Sequence, residues 1–117
     1  MGLRSLQLSQ FRCFETAELE PAPGINLITG RNASGKTSLL EAIFLLGRGR
    51  SFRSGRREAM IREGAARLRA VARLDGDQVL GMEVDRDGWT ARAGGQAVGQ
   101  LAQLSDWLAV QVMDPEV

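Results

Sequence analysis

The stretch Gly30-Arg31-Asn32-Ala33-Ser34-Gly35-Lys36-Thr37 constrains this chain more than any other. It fits G-x-x-x-x-G-K-[ST], a phosphate-binding loop in which each fixed position has a mechanical task. Gly30 and Gly35 allow backbone turns that a Cβ would obstruct. The N–H groups between them then converge into a nest for phosphate oxygens. Lys36 is expected to reach the β- and γ-phosphates, and the Thr37 hydroxyl to hold Mg²⁺. Such a loop works between a strand and a helix, and the flanks agree. Residues 24–29, Gly-Ile-Asn-Leu-Ile-Thr, read as a short strand led in by Pro21 and Pro23. Beyond the loop, Leu39, Leu40, Ile43, Phe44 and Leu46 recur at helical spacing, and Gly47 and Gly49 stop the run. The helix mouth falls at the phosphates, where its dipole favours negative charge. The competing reading is a chance Gly-rich turn in front of a core helix.

The basic residues add a second observation. The chain has fourteen Arg and one Lys, and the Lys is Lys36. A compact ammonium fits inside a tight phosphate loop where the planar fork of Arg does not.

The bulk properties set limits. A chain of 117 residues allows one domain at most. At 44% hydrophobic and 25% charged, it has the composition of a soluble globular protein, with neither a membrane span nor a signal-peptide run. Cys13 is alone, which excludes an internal disulfide and makes a reducing cytoplasm the expected location. The absence of His removes the commonest general base and metal ligand. The net charge of +1 says nothing about nucleic acid, so the distribution of charge has to.

Residues 3–10 alternate and read as a first strand, and residues 15–20 as a second. Phe11-Arg12-Cys13-Phe14 lies between them, and residues 21–24 form a loop. A hairpin ahead of the phosphate loop is unusual for a simple nucleotide kinase. Residues 54–64 suggest a short helix around Ala59, Met60 and Ile61. An antiparallel meander follows: strands over 65–74, 78–85 and 89–93, with turns at 75–77, 86–88 and 94–95. Arg67, Arg69 and Arg73 share parity with residue 71 and belong on one sheet face, either its wet side or a phosphate contact. Residues 96–108 suggest a helix with Leu101, Leu104 and Leu108 on one face. Residues 109–113 read as a buried strand ending at Asp114.

The segment Phe11-Arg12-Cys13-Phe14, the run from Gly30 through Ser38-Leu39-Leu40-Glu41-Ala42-Ile43, and Leu46-Gly-Arg-Gly-Arg-Ser-Phe-Arg-Ser54 together resemble the opening of an SMC-type ATPase head, in a branch serving DNA replication and repair. Ala33 stands where many members carry Gly, a change that a negative φ tolerates. The resemblance implies an α/β fold: the N-terminal lobe of a P-loop NTPase head of ABC/SMC type, with a mixed sheet around the P-loop helix plus the meander. It implies ATP and Mg²⁺ as cofactors, residues 30–37 as their site, and Arg12 beside the nucleotide, although Arg12 also suits a strand end over two aromatics. Phe11 and Phe14 are expected in the core.

Residues 48–57 hold five arginines around Phe52. The resemblance favours Arg50, Arg53 and Arg56 for DNA contact over a merely solvated loop. It further implies binding of single- and double-stranded DNA at gaps or forks, ATP-dependent pairing of two heads, recombination mediator proteins as partners, and a role in SOS induction. No strand here ends in paired acids of Walker-B type, Val112-Met113-Asp114 being nearest, and the signature motif is absent. Gln111 is a weak candidate for the water-sensing Gln of such heads. Residues 1–117 are therefore expected to be the incomplete N-terminal part of a head. The full-length protein would be a weak DNA-dependent ATPase and this chain inactive alone. Two alternatives stay open on the residues: a small-molecule kinase, and a stand-alone nucleotide-binding module without catalysis.

Overall fold

Alternation of apolar and polar residues in four successive segments dictates a sheet with one dry and one wet face. The computed structural model describes residues 3–12, 14–19, 33–50 and 55–108, and only the backbone of residues 19, 33–37, 39 and 105. Its strands are β1 (Leu3–Phe11), β2 (Phe14–Leu19), β3 (Arg67–Leu74), β4 (Gln78–Asp85), β5 (Trp89–Ala93) and β6 (Gln96–Ala97). They form one six-stranded sheet in the order β2-β1-β3-β4-β5-β6. Every described pairing is antiparallel. The strand expected over 24–29, which would make the sheet mixed, lies outside the described residues, as does the strand expected over 109–113.

The single α-helix among the described residues, α1 (Ala33–Arg48), lies on the dry face and touches β1, β3 and β4. The sequence prepares this contact. On the dry face β3 presents Leu68, Ala70, Ala72 and Leu74, and β5 presents Ala91 and Ala93. Small side chains at the middle of β3 sit opposite larger ones on β4, with Ala70 facing Met82 and Ala72 facing Leu80. The helix can therefore approach the sheet closely and fill the remaining volume with Ala42, Leu45 and Leu46, all fully buried. Each such Leu contributes about 2 kcal/mol by burial. Leu6, Leu8 and Phe11 of β1 complete this core, with Phe14 partly buried against it, as expected for both aromatics.

The turns follow their residue chemistry. Between β4 and β5, the Asp85 carboxylate accepts the N–H groups of Asp87 (2.8 Å) and Gly88 (2.9 Å). Between β5 and β6, Gly94 and Gly95 both have positive φ, +59° and +85°, as a two-residue hairpin of the primed type requires. That hairpin corrects the expectation of a helix over 96–108. Residues 96–97 pair back on β5, and Val98 N–H donates to Ala91 (2.9 Å). Helical structure begins only at the 3-10 helix Leu101–Asp106, where Gln103 Oε1 accepts the Gln100 N–H (3.2 Å). The expected apolar face survives: Leu104 and Leu108 are buried, and Leu101 is partly so. The short helix expected within 54–64 is the 3-10 turn Arg57–Met60. No helix among the described residues is long and apolar enough to cross a membrane.

Helix α1 runs through Gly47 and stops at Gly49. There the N–H bonds back to Leu45 O (2.6 Å) and φ is +75°. A Cβ at Gly49 would also stand 2.6 Å from Leu101 Cδ2, so this glycine lets the helix end meet the last 3-10 turn. Gly49→Ala is expected to destabilise the fold by at least about 1–2 kcal/mol, since it adds a clash to the left-handed penalty. Gly64→Ala has a similar φ of +87° with open space around the Cβ. It should incur the conformational cost alone, and paired denaturant melts would show the difference.

Candidate nucleotide-binding site

The expected phosphate loop straddles the edge of the description. Residues 30–32 lie outside it. The backbone of residues 33–37 forms the first turn of α1, so the helix starts within the motif. Its N–H groups there have no intrahelical acceptors, and the helix dipole adds partial positive charge. This is the arrangement a phosphate tail fits.

Arg12 is drawn to the same helix. It occupies the corner between β1 and β2, where Phe11 pairs with Phe14. Both Gln10 (φ +56°) and Arg12 (φ +50°) adopt left-handed backbone conformations, which are uncommon outside glycine. The following segment clamps them. Arg12 N–H donates to Met60 O (2.8 Å), and Arg62 N–H donates to Gln10 O (2.8 Å). Phe11 and Ile61 form an antiparallel bridge between these bonds.

From this corner the Arg12 guanidinium reaches Glu41 on α1. Nε donates to Glu41 Oε1 and Nη2 to Oε2, each at 2.8 Å. The Glu41 side chain is completely buried, whereas that of Arg12 is 25% exposed. The hydrogen bonds to Glu41 raise the Arg12 pKa; partial desolvation opposes the shift and the carboxylate's charge supports it. The sign follows directly. Stability from a raised pKa is complete below the unfolded value and is lost only above it. Arg12 therefore stays charged across any physiological pH.

Positions 37 and 41 are about one turn apart on the same face of α1, about 6 Å along its axis. The fold thus brings Arg12 to the helix face that carries the expected metal-ligand position. Glu41 was not singled out from the sequence, although a signal existed. An acid between Leu40 and Ala42, in register with the buried Leu45, demands a cation.

Of the expected DNA-contacting arginines, Arg50 and Arg56 are elsewhere. Sixteen residues make α1 about 24 Å long, and the Arg-rich segment leaves its far end. The guanidinium carbons of Arg48 and Arg50 each lie 5.9 Å from the centre of the Phe44 ring, within cation–π range. Arg57 Nη1 donates to Gly49 O (3.3 Å), at the helix's negative end. Arg56 is exposed, with its Nε 3.4 Å from Glu58. Arg53 and Phe52 lie outside the described residues, as do Gln111 and Asp114. On the sheet, Arg67, Arg69 and Arg73 are exposed and share a face, as expected. Arg67 and Arg69 both approach Glu83, at 3.8 and 3.7 Å, which is the behaviour of a wet sheet surface. Among the described residues no cluster of acids or Cys could hold a metal ion.

Residues 2–86 match the family model described as the RecF/RecN/SMC N-terminal domain. The chain belongs to this family. Its sequence is 45% identical over 120 residues to the DNA replication and repair protein RecF of Shewanella baltica, and 42% identical to that of Shewanella oneidensis. These alignments take in 99% of this chain but 33% of each relative, so the chain spans about a third of their length. The fold is similar to that of a recombination mediator protein RecF solved with ATP, with a TM-score of 0.78, 27% identity, and coverage of 88% of this chain and 30% of that one. A RecF-ATPrS structure gives 0.77 and 28%, covering 88% of this chain and 29% of that one. The fold is therefore that of the RecF/SMC ATPase N-terminal region, built on an antiparallel sheet.

The geometry makes the two halves of the ion pair unequal. Arg12→Ala would take the guanidinium from a fully buried carboxylate and should cost about 3–5 kcal/mol. Glu41→Ala leaves a guanidinium that can turn to water and should cost clearly less. Urea denaturation of both variants would check the order; equal losses would contradict it.

Proposed function

We propose that this chain is the nucleotide-binding N-terminal part of an ATP-dependent, DNA-binding protein of DNA replication and recombinational repair. The observation that carries the reading is the start of α1 inside residues 30–37, with a charged guanidinium fixed on the same helix near the expected phosphates. Support comes from the likeness, over 88% of the chain, to a RecF solved with ATP.

In this reading the backbone amides of Gly30, Arg31, Asn32, Ala33, Ser34 and Gly35 wrap the phosphate tail. Lys36 neutralises its terminal phosphates and Thr37 holds Mg²⁺. Arg12 adds positive charge from the β1–β2 corner. Bound ATP and Mg²⁺ would supply the free energy and charge bridge that join two heads into a dimer. Arg50, Arg53 and Arg56 contact the DNA backbone, single- or double-stranded, at gaps or forks. The protein acts in the cytoplasm, with recombination mediators, in repair and SOS induction. Hydrolysis, weak and DNA-dependent, requires groups beyond those placed here.

Lys36→Arg in the gene product that carries this chain should abolish the ATP dependence of DNA binding, measured by fluorescence anisotropy with and without ATP. An unchanged ATP response would refute the nucleotide site. Replacing Arg50, Arg53 and Arg56 with Ala should weaken binding uniformly across DNA sequences. It should also flatten the slope of log affinity against log salt by roughly one for each phosphate contact removed. An unaltered slope would exclude these arginines as the contact.

A further inference from the structure

We propose that Glu41 is a positioning residue for nucleotide binding, acting through Arg12. It grips one edge of the guanidinium so that the other edge is held ready for a phosphate oxygen. The inference rests on the nucleotide-site reading above and adds a residue that the loop motif does not contain.

Arginine offers two edges for bidentate donation, one through Nε and Nη2 and one through Nη1 and Nη2. Here Glu41 takes the first edge completely, with both oxygens at 2.8 Å. Nη1 has no hydrogen-bond partner among the described residues. The exposure is divided in the same sense, with the carboxylate fully buried and the arginine a quarter exposed. One edge is thus committed to the buried carboxylate, on a side chain that keeps some access to solvent.

The backbone at the corner serves the same end. Left-handed conformations at Gln10 and Arg12 persist because bonds to residues 60 and 62 hold them on either side of Phe11. Strain of this kind, locked by its surroundings, is a feature of ligand-holding sites. A purely structural link between hairpin and helix would be served equally well by two apolar side chains, because a buried ion pair gains little stability over them. What an apolar pair cannot do is hold a charged fork at a fixed angle. The helix supplies the target: position 41 stands one turn from position 37 on the same face, so the fork is anchored in mid-helix, one turn from the expected metal-ligand position.

The test uses the gene product that carries this chain, with ATP as the probe, its Kd measured by calorimetric titration and Tm measured in parallel. Glu41→Gln keeps the shape of the side chain but no longer takes both donors as an anion. Arg12→Lys keeps a cation for Glu41 but has no second edge. Each should weaken ATP binding about tenfold, the loss of one charge-assisted hydrogen bond. The double variant should be no weaker than either single one, because both remove the same positioned fork. Two independent losses would instead multiply to about a hundredfold and overturn the proposal. So would a Glu41→Gln protein with lowered Tm but unchanged Kd, since Glu41 would then be merely structural.

Should Glu41→Gln not fold, Glu41→Asp retains the charge and withdraws the carboxylate by one methylene. It is expected to lose ATP affinity with Tm close to the parent, and an unchanged Kd rejects the idea. Lys36→Ala separates the two levels of argument. If it abolishes ATP binding while the Glu41 variants bind normally, only the positioning role fails. If it leaves ATP binding intact, the site reading fails and the positioning role with it.

Discussion

A carboxylate with no access to water, Glu41, joins the first hairpin to the helix that lies on the sheet. An ionised acid in such a place is tolerated only when paired and hydrogen-bonded, and Arg12 supplies the opposite charge and two hydrogen bonds with one planar group. Much of the local architecture is arranged to deliver that group. The hairpin corner takes up two left-handed residues, and the chain around Met60 folds back to bond each of them. The ion pair is therefore a junction of three pieces of chain far apart in sequence: the β1–β2 corner, the middle of α1 and the segment that precedes β3.

Around this junction the fold separates two kinds of positive charge. Arg12 is committed to the helix face that carries the expected phosphate site. Arg48, Arg50 and Arg57 gather at the far end of the same helix, over Phe44 and beside the carbonyl of Gly49. Position 41, which holds Arg12, and Arg48 lie seven residues apart, about 10 Å along the helix axis. One helix thus carries the expected phosphate loop at its start and arginines at its end. The arginines on the outer face of β3 are a different matter. Two of the three share Glu83, which is ordinary surface electrostatics.

Much of the fold was legible in advance because it depends on local periodicity. The three meander strands, their turns and the first hairpin all follow from alternation punctuated by Gly and Asp. The helix followed from apolar spacing after the loop. The error lay at residues 96–108, where leucine spacing suggested a regular helix. Gly94-Gly95 instead closed another hairpin, and helical structure could begin only after Gln100. The leucine face was read correctly because burial depends on the same spacing in either kind of helix.

The sequence by itself determined the family, the phosphate-loop motif with the chain's single lysine in it, and the dry face of the sheet. These are written in the order and spacing of neighbouring residues. Only the tertiary structure decided what Arg12 does with its charge, why Glu41 is an acid at all, and why Gly49 carries no side chain. Each of those depends on a contact between residues far apart along the chain: Glu41 lies 29 positions from Arg12, and Leu101 packs against Gly49 from the other end of the sequence. No local pattern records such a meeting, because it is the folding of the sheet beneath the helix that brings the partners within reach.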